Sequence, residues 1–217
     1  MNLAAISPRA PNTGSTRLVA VATTLLVLAL AGCSKQESAQ PSAAQASVAK
    51  STSAQSTLPT QPFDAVAAQG KGFTVGAMMS AQTVYVMFDP QCPHCGHLWE
   101  ASLPLQRKIK FVWIPVAFIG PKSAPQGAAL LSATNPAEAM TEHEKSILAG
   151  TGGMAAPSSV SPEMEATIKS NTALFNQLKV DSVPYVLAKN MKTGQMVTNT
   201  GAMTTPALAE FLGVDAP

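Results

Sequence analysis

The 217-residue sequence has few cysteines, little bias of charge and no hydrophobic run of membrane-spanning length. Lys and Arg number 14 against 12 Asp and Glu, so no basic stripe or polybasic segment suggests binding to nucleic acid or to anionic lipid. The apolar run at 18–31 has 14 residues, whereas a membrane-spanning helix needs about 20. These absences indicate a compact, nearly neutral protein, in which each of the three cysteines needs its own explanation.

The first 32 residues are typical of an export signal. Arg9 and Arg17 precede the apolar run, and small residues come directly before Cys33. This order favours a signal peptide over a structural helix. The ending Leu-Ala-Gly-Cys resembles a bacterial lipobox, which implies that Cys33 is lipidated and becomes the first mature residue. By resemblance to Gram-negative lipoproteins, the serine that follows favours the outer membrane. An ordinary signal peptide that contains a cysteine is the alternative.

Residues 33–60 are predicted to be a flexible linker behind the lipid. Of residues 34–60, 17 of 27 are Ser, Ala or Gln, and such a segment buries too little apolar surface to fold. A coil of this length averages about 30 Å from end to end. Without residues 1–32 the chain carries 12 basic and 12 acidic side chains. Residues 61–217 are then expected to form one domain.

Apolar periodicity predicts an α/β domain with a helical insertion at about 121–179. Thr83–Phe88 is a run of β-branched and aromatic residues that predicts a buried strand. Further strands are predicted at 72–75, 110–118, 183–188 and 195–200. Predicted helices run from residue 92 to about Lys108, over 128–133, from Asn135, from Ser161, and over 206–212 with Thr205 as its cap.

The run FDPQCPHCGHLW at 88–99 places Cys92 and Cys95 where the predicted strand meets a helix. Two cysteines at this spacing can close a disulfide and reopen it, passing two electrons to another protein. A structural disulfide closing so short a loop would stabilise little, and disulfides persist in exported proteins. Because only a thiolate attacks a disulfide, Cys92 at the helix start is the expected nucleophile. Cys95 is the expected resolving thiol, and His94 is expected to tune the pair.

From about Gly72 onward the chain resembles the thioredoxin-fold disulfide-bond (Dsb) proteins, most of all the catalytic domain of the DsbC/DsbG branch. Three segments carry the resemblance: the run at 88–99 with its Asp89, the stretch IPVAFIGPKSAPQGAALLSATNPAEAM at 114–140, and DSVPY at 181–185. The resemblance implies a thioredoxin fold and disulfide exchange with exported, cysteine-containing proteins in the periplasm. It implies that Pro184 is cis and faces the motif, and that the backbone of Val183 pairs with a substrate peptide.

Two features separate this chain from that branch. Residues 34–60 stand where the branch carries a dimerisation domain, which favours a monomer. The Pro-His dipeptide of the motif and Val183 look more like DsbA. An isomerase or reductase of DsbC/DsbG type and an oxidase of DsbA type therefore both stay open, with a redox partner of DsbD or DsbB type in the membrane. The lipid is the only membrane contact expected, and the disulfide itself is the only redox group, with no separate cofactor. The predicted potential lies in the oxidising half of the range from about −270 to about −120 mV.

A non-catalytic metal carrier or chaperone is the rival interpretation of the same residues. Cys92, His94, Cys95 and His97 lie within six residues, whereas structural zinc sites usually recruit a second, distant pair of ligands. No metal site is therefore predicted. Gly96 stands where a c-type haem motif needs histidine, which excludes that reading. The sequence also predicts packing for Trp99, a core position for Tyr185 and a solvated helix face for His143.

Overall fold

A computed structural model describes residues 61–217. The predicted signal peptide, the predicted lipidation of Cys33 and the predicted linker up to residue 60 lie outside the described residues. In the described part of the chain, five strands form one sheet: β1 (Phe73–Gly76), β2 (Thr83–Phe88), β3 (Lys110–Pro115), β4 (Tyr185–Lys189) and β5 (Met196–Thr200). Their order is β1-β3-β2-β4-β5, with β2 and β3 parallel and the other pairs antiparallel.

Residues 61–217 contain six helices: α1 (Pro62–Gln69), α2 (Pro93–Ser102), α3 (Ser123–Leu131), α4 (Pro136–Leu148), α5 (Pro162–Gln177) and α6 (Thr205–Leu212). A short 3-10 helix, Leu103–Leu105, follows α2. Three of the helices, α3 to α5, lie between β3 and β4 in the chain, as the predicted insertion requires. None of the helices within 61–217 is both long and apolar enough to cross a bilayer.

The sheet register brings two distant segments of the chain to one edge. Phe88 at the end of β2 lies beside Pro115 at the end of β3, and Met87 lies beside Tyr185 at the start of β4. The residues after β2 and the residues before β4 therefore meet at this edge. Those residues are the Cys-Pro-His-Cys motif and the Val183–Pro184 dipeptide.

Aromatic rings fill the core between α2 and the sheet. Trp113 of β3 makes edge-to-face contacts with Phe88 at 5.5 Å and with Trp99 of α2 at 5.1 Å between ring centroids. Such pairs contribute about 0.5–1.5 kcal/mol each beyond the area that they bury. Trp99 also donates from Nε1 to the Thr141 hydroxyl of α4 at 3.2 Å. The predicted packing role of Trp99 is confirmed, and its bond to α4 ties the insertion to the motif helix.

Two predicted elements are too long, and in both cases proline marks the end. The helix that begins at the motif stops at Ser102 instead of Lys108, because Pro104 has no N–H to donate and the chain tightens into a 3-10 turn there. The strand β3 stops at Pro115 instead of Phe118. Beyond it the backbone N–H of Phe118 donates to the carboxylate of Asp89 instead of to a neighbouring strand.

Both ends of the chain's described part also differ from prediction. The sequence reading missed α1, which begins at Pro62 and has only two buried side chains, Ala65 and Val66. The last helix is capped by Thr204, whose side chain accepts a hydrogen bond from the Ala207 N–H, and not by Thr205. Tandem threonines offer two caps of the same chemistry, so composition alone does not choose between them.

Candidate active site

The motif begins at the carboxyl end of β2 and continues into α2. Cys92 is the N-cap residue of α2, with extended backbone angles, and Pro93 occupies the first helical position. The Cys92 N–H donates to the Asp89 carbonyl at 3.0 Å, and the Cys95 N–H donates to the Cys92 carbonyl at 3.0 Å. This tight entry places the sulfur of Cys92 at the helix N-terminus, where backbone N–H groups favour negative charge.

The pKa of Cys92 is lowered to about 7. The largest cause is a hydrogen bond from the thiol of Cys95, and the backbone N–H groups of Cys95 and His94 add to it. Burial and the negative charge of Asp89 act in the opposite direction. A pKa of about 7 leaves about half of Cys92 as thiolate at neutral pH, and the thiolate is the nucleophilic form.

Cys95 has the opposite character. It is fully buried, and burial, together with the hydrogen bond and charge of Cys92, raises its pKa well above the ordinary value. The structure holds both cysteines as free thiols. Cys92 is thus the cysteine that ionises at neutral pH. Cys95 stays protonated, and its thiol donates a hydrogen bond to the sulfur of Cys92.

The two histidines of the motif are both exposed. His94 acts on Cys92 through its backbone N–H, so a tuning effect of its imidazole stays a prediction. His97 pairs with Glu100 one turn further along α2, with Nδ1 and Oε2 3.9 Å apart. Across residues 61–217, no group of three or more His, Cys, Asp or Glu side chains is arranged to hold a metal ion.

Pro184 lies directly opposite the motif, and the peptide bond between Val183 and Pro184 is cis. The predicted isomer is therefore confirmed. The thiol of Cys92 donates to the Val183 carbonyl, with Sγ and the oxygen 3.6 Å apart. Tyr185, the next residue, is buried as predicted. Residues 91 positions apart in the chain thus form one face, with a nucleophilic sulfur against a backbone carbonyl.

Asp89 holds the motif to the loop that follows β3. Its side chain is fully buried and accepts four hydrogen bonds. The donors are the N–H of Phe118 at 2.6 Å, the N–H of Ile119 at 2.8 Å, the hydroxyl of Ser123 at 2.8 Å and the N–H of Gln91 at 2.8 Å. From the sequence, Asp89 was recognised only as part of the family resemblance, so the structural role of its carboxylate was missed. Its negative charge is also one of the causes that raise the pKa of Cys92.

His143 does not lie on a solvated helix face; that prediction was wrong. It is 1% exposed, its Nε2 lies 2.7 Å from the Pro90 carbonyl, and its Nδ1 accepts the N–H of Met154 at 3.1 Å. This pattern assigns the neutral tautomer with the proton on Nε2. Burial is the main cause that lowers the pKa of His143 and keeps it neutral. The imidazole thereby joins α4 to the turn before Cys92 and to the loop after α4.

Glu144, the next residue of α4, is a second buried titratable group that sequence reasoning missed. It is fully buried, and burial is the main cause that raises its pKa to about 9. A signal for both residues was available. Met140, His143, Glu144 and Ile147 follow the i, i+3, i+4, i+7 spacing of one helix face, and all four are buried.

Comparison with known proteins agrees with this fold. No protein-family model matches the sequence. The thiol:disulfide interchange protein DsbG of Pseudomonas aeruginosa is 29% identical over 141 residues, which are 64% of this chain and 54% of the relative. DsbG of Escherichia coli is 30% identical over 118 residues, which are 52% of this chain and 47% of the relative. The chain thus spans about half the length of the curated relatives that it matches.

Solved structures show the fold. The catalytic domain of Proteus mirabilis ScsC matches with a TM-score of 0.53 at 16% identity, over 69% of this chain and 95% of that chain. The thiol-disulfide exchange protein alpha-DsbA2 of Wolbachia pipientis matches with a TM-score of 0.53 at 16% identity, over 70% and 92% of the two chains. The predicted thioredoxin fold with a helical insertion is confirmed. The predicted relation to thioredoxin-fold thiol:disulfide interchange proteins is confirmed by the sequence similarity to DsbG.

Proposed function

We propose that this protein is a thiol:disulfide oxidoreductase that exchanges disulfides with exported, cysteine-containing proteins in the periplasm. One observation carries the proposal: a cysteine whose pKa is lowered to about 7 lies beside a buried partner thiol and against the carbonyl before a cis proline. The similarity to DsbG supports the same chemistry. Cys92 is the nucleophile, Cys95 the resolving thiol, and Val183 with Pro184 the wall of the substrate groove.

In the reducing direction the Cys92 thiolate attacks one sulfur of a substrate disulfide. A bond forms between Cys92 and that sulfur, the substrate disulfide breaks, and the second substrate sulfur leaves as a thiolate. Cys95 then gives its proton to the departed substrate thiolate and attacks Cys92, which releases the first substrate sulfur and closes the Cys92–Cys95 disulfide. The oxidising direction runs the same steps backwards. The substrate backbone pairs with Val183 as an added strand, which holds its sulfur near Cys92.

Reduction of insulin disulfides by dithiothreitol tests the proposal, because exchange activity releases the insulin B chain as a precipitate. The wild-type chain is expected to accelerate precipitation, and Cys92→Ser is expected to abolish the acceleration. Cys95→Ser is expected to accumulate a mixed disulfide between Cys92 and the substrate, visible on a non-reducing gel. A Cys92→Ser variant with full exchange activity would overturn the proposal.

The direction of exchange follows from the redox state of the pair in the cell. Mostly oxidised Cys92 and Cys95 indicate an oxidase that is served by a partner of DsbB type. Mostly reduced cysteines indicate an isomerase or reductase that is served by a partner of DsbD type. A nucleophile with a pKa of about 7 matches thioredoxin at about 7 more closely than DsbA at about 3.5. We keep the expectation of a potential in the oxidising half of the range between these two proteins, short of that of DsbA, and a potential below about −270 mV would contradict this.

Export and attachment to a membrane belong to the same proposal. The motif Leu-Ala-Gly-Cys supports lipidation at Cys33, and the oxidising compartment suits a redox disulfide. Mass spectrometry of the mature protein tests it. A diacylated or triacylated Cys33 is expected as the first residue, and an unmodified N-terminus downstream of Cys33 would contradict the anchor without touching the catalytic proposal.

A further inference from the structure

Glu144 stands apart from the other buried acid of the site. The carboxylate of Asp89 accepts four hydrogen bonds. Neither carboxyl oxygen of Glu144 takes part in a hydrogen bond within residues 61–217. Leaving a buried charged group without partners costs several kcal/mol. A carboxyl held in this way therefore favours its protonated form strongly, and retaining it needs an explanation other than stability.

The position of Glu144 supplies that explanation. It lies on α4 against α2, and its Oε2 is 2.9 Å from the point that a Cβ on Gly96 would occupy. Gly96 directly follows Cys95, and its missing side chain leaves the space that the carboxyl fills. The charged and titratable groups that act on Glu144 are Cys92 and Glu100 of the motif helix and Asp89 before it.

These groups lose their protons in a defined order as the pH rises. Cys92 ionises first, at a pKa of about 7. Glu144 follows at about 9, and the charge of the Cys92 thiolate is one of the causes that raise its pKa. Cys95 comes last, and the charge of Glu144 raises its pKa further. The proton on Glu144 is thus coupled to both sulfurs.

We propose that Glu144 is the proton store of the cysteine pair, taking up a proton when the Cys92–Cys95 disulfide is reduced and releasing it when the disulfide forms. The inference rests on the proposed exchange activity and adds a residue to it. In the oxidised protein Cys92 carries no charge, so the thiolate no longer disfavours ionisation of Glu144. In the reduced protein the negative charge of the Cys92 thiolate raises the pKa of Glu144, and the carboxyl takes up a proton.

At a pH between the pKa of Glu144 in the oxidised protein and about 9, the reaction with a substrate dithiol balances without solvent protons. The substrate loses two electrons and two protons as its two thiols become a disulfide. The enzyme gains the two electrons by breaking its own disulfide, and the two protons go to Cys95 and to Glu144, while Cys92 remains a thiolate. The net charge is the same on both sides, so a buried site exchanges electrons with no net change in charge.

The measurable consequence is an extra proton in the redox equilibrium. Each proton taken up on reduction changes the exchange equilibrium constant tenfold per pH unit, which is about 30 mV for a two-electron couple. Above the pKa of Cys92, at about 7, reduction takes up one proton on Cys95. Glu144 adds up to one more, over the interval between its pKa in the oxidised protein and about 9 in the reduced protein.

The test compares equilibrium constants with a dithiol redox buffer from pH 6 to 10 for the wild type and for Glu144→Gln. The pH dependence of the redox buffer itself cancels when the wild-type equilibrium constant is divided by that of Glu144→Gln. Between the pKa of Glu144 in the oxidised protein and about pH 9, the wild-type constant for reduction is expected to fall relative to that of Glu144→Gln by up to tenfold per pH unit. The ratio of the two constants is expected to be flat below and above this interval. Glu142→Gln, an exposed acid of the same helix, is the control and should match the wild type.

Two further measurements separate the outcomes. Glu144→Asp keeps a titrating carboxyl. The ratio of its equilibrium constant to that of Glu144→Gln is therefore expected to depend on pH, as the ratio for the wild type does. Proton uptake on reduction, followed with an indicator dye in weak buffer, is expected to be larger for the wild type than for Glu144→Gln. If both variants exchange disulfides and their pH profiles run parallel to that of the wild type, Glu144 stores no proton. Absence of exchange by the wild type would instead refute the proposed function.

Discussion

Replacing Asp89 by Asn is expected to weaken the fold and to make Cys92 more acidic at the same time. An asparagine can keep an oxygen towards the N–H groups of Phe118 and Ile119, and its amide can donate to the Ser123 hydroxyl. The N–H of Gln91 then faces another donor and loses its partner. The substitution thus removes one buried hydrogen bond and the negative charge from the others.

The magnitude follows from the four bonds. A hydrogen bond to a charged group contributes about 1.5–3 kcal/mol and a neutral one about 0.5–1.5 kcal/mol. Three bonds weakened and one lost amount to roughly 6 kcal/mol, and because the neutral side chain no longer has to be buried as a charge, we expect a net loss of roughly 3–5 kcal/mol. A domain is stable by only about 5–15 kcal/mol, so the substitution should remove between a fifth and all of that stability.

Urea unfolding, followed by the fluorescence of the two buried tryptophans, measures the loss of stability. Titration of the thiolate absorbance near 240 nm measures the pKa of Cys92, which should fall below about 7 because the charge of Asp89 raises it in the wild type. Asp181→Asn, an exposed acid two residues before Val183, is the matched control and should change neither quantity. A loss under about 1 kcal/mol, or a rise in the pKa of Cys92, would refute this account of Asp89.

Three further substitutions test other contacts of the site. Cys95→Ala removes the largest cause that lowers the pKa of Cys92, so that pKa should rise from about 7 towards that of an ordinary thiol in an absorbance titration; an unchanged pKa would contradict the assigned cause. Gly153→Ala forces a side chain onto a residue with φ of 81° and places its Cβ 2.5 Å from a buried imidazole. It should cost roughly 1–3 kcal/mol more in urea unfolding than Gly150→Ala, where φ is 72° but nothing lies within 4 Å; equal losses would show that the contact gives way. Glu144→Gln should become more stable relative to the wild type as the pH rises from about 5 to about 9. The pKa of Glu144 is raised in the folded state, so its contribution to the free energy of unfolding is fully present below the ordinary pKa of a glutamate. That contribution is lost as the pH rises to about 9, by at most about 1.4 kcal/mol per pH unit. A constant difference in unfolding free energy between the two proteins would contradict the raised pKa.

The sequence predicted those parts of the fold that local chemistry determines. Thr83–Phe88 has the bounds of β2 to the residue, because a β-branched and aromatic run between turns has few alternatives. Asn135 caps α4 by accepting the N–H of Glu138, as an asparagine followed by proline and an early acid predicts. The cysteine pair and the cis proline were found through spacing and resemblance, and the structure brings them together.

What the sequence did not predict depends on contacts between distant segments. The string Thr-Glu-His-Glu-Lys looks hydrophilic, yet His143 and Glu144 are buried because α4 packs against the motif helix. The four donors to Asp89 come partly from residues some 30 positions away. The spacing along α4 indicated that His143 and Glu144 lie on one face with Met140 and Ile147, but periodicity does not show which groups of other elements they contact. Those contacts were found only in the structure.

The hydrogen bond from the Cys92 thiol to the Val183 carbonyl connects ionisation of the nucleophile with binding of a substrate strand. While the sulfur keeps its hydrogen, that oxygen already accepts one weak hydrogen bond, and the N–H of an incoming polypeptide would compete with it. Ionisation removes the donor, so the same event that creates the nucleophile also vacates the acceptor that a guest strand would use. At neutral pH, where about half of Cys92 is thiolate, we expect the ionised fraction to pair more readily with a substrate strand than the thiol fraction does.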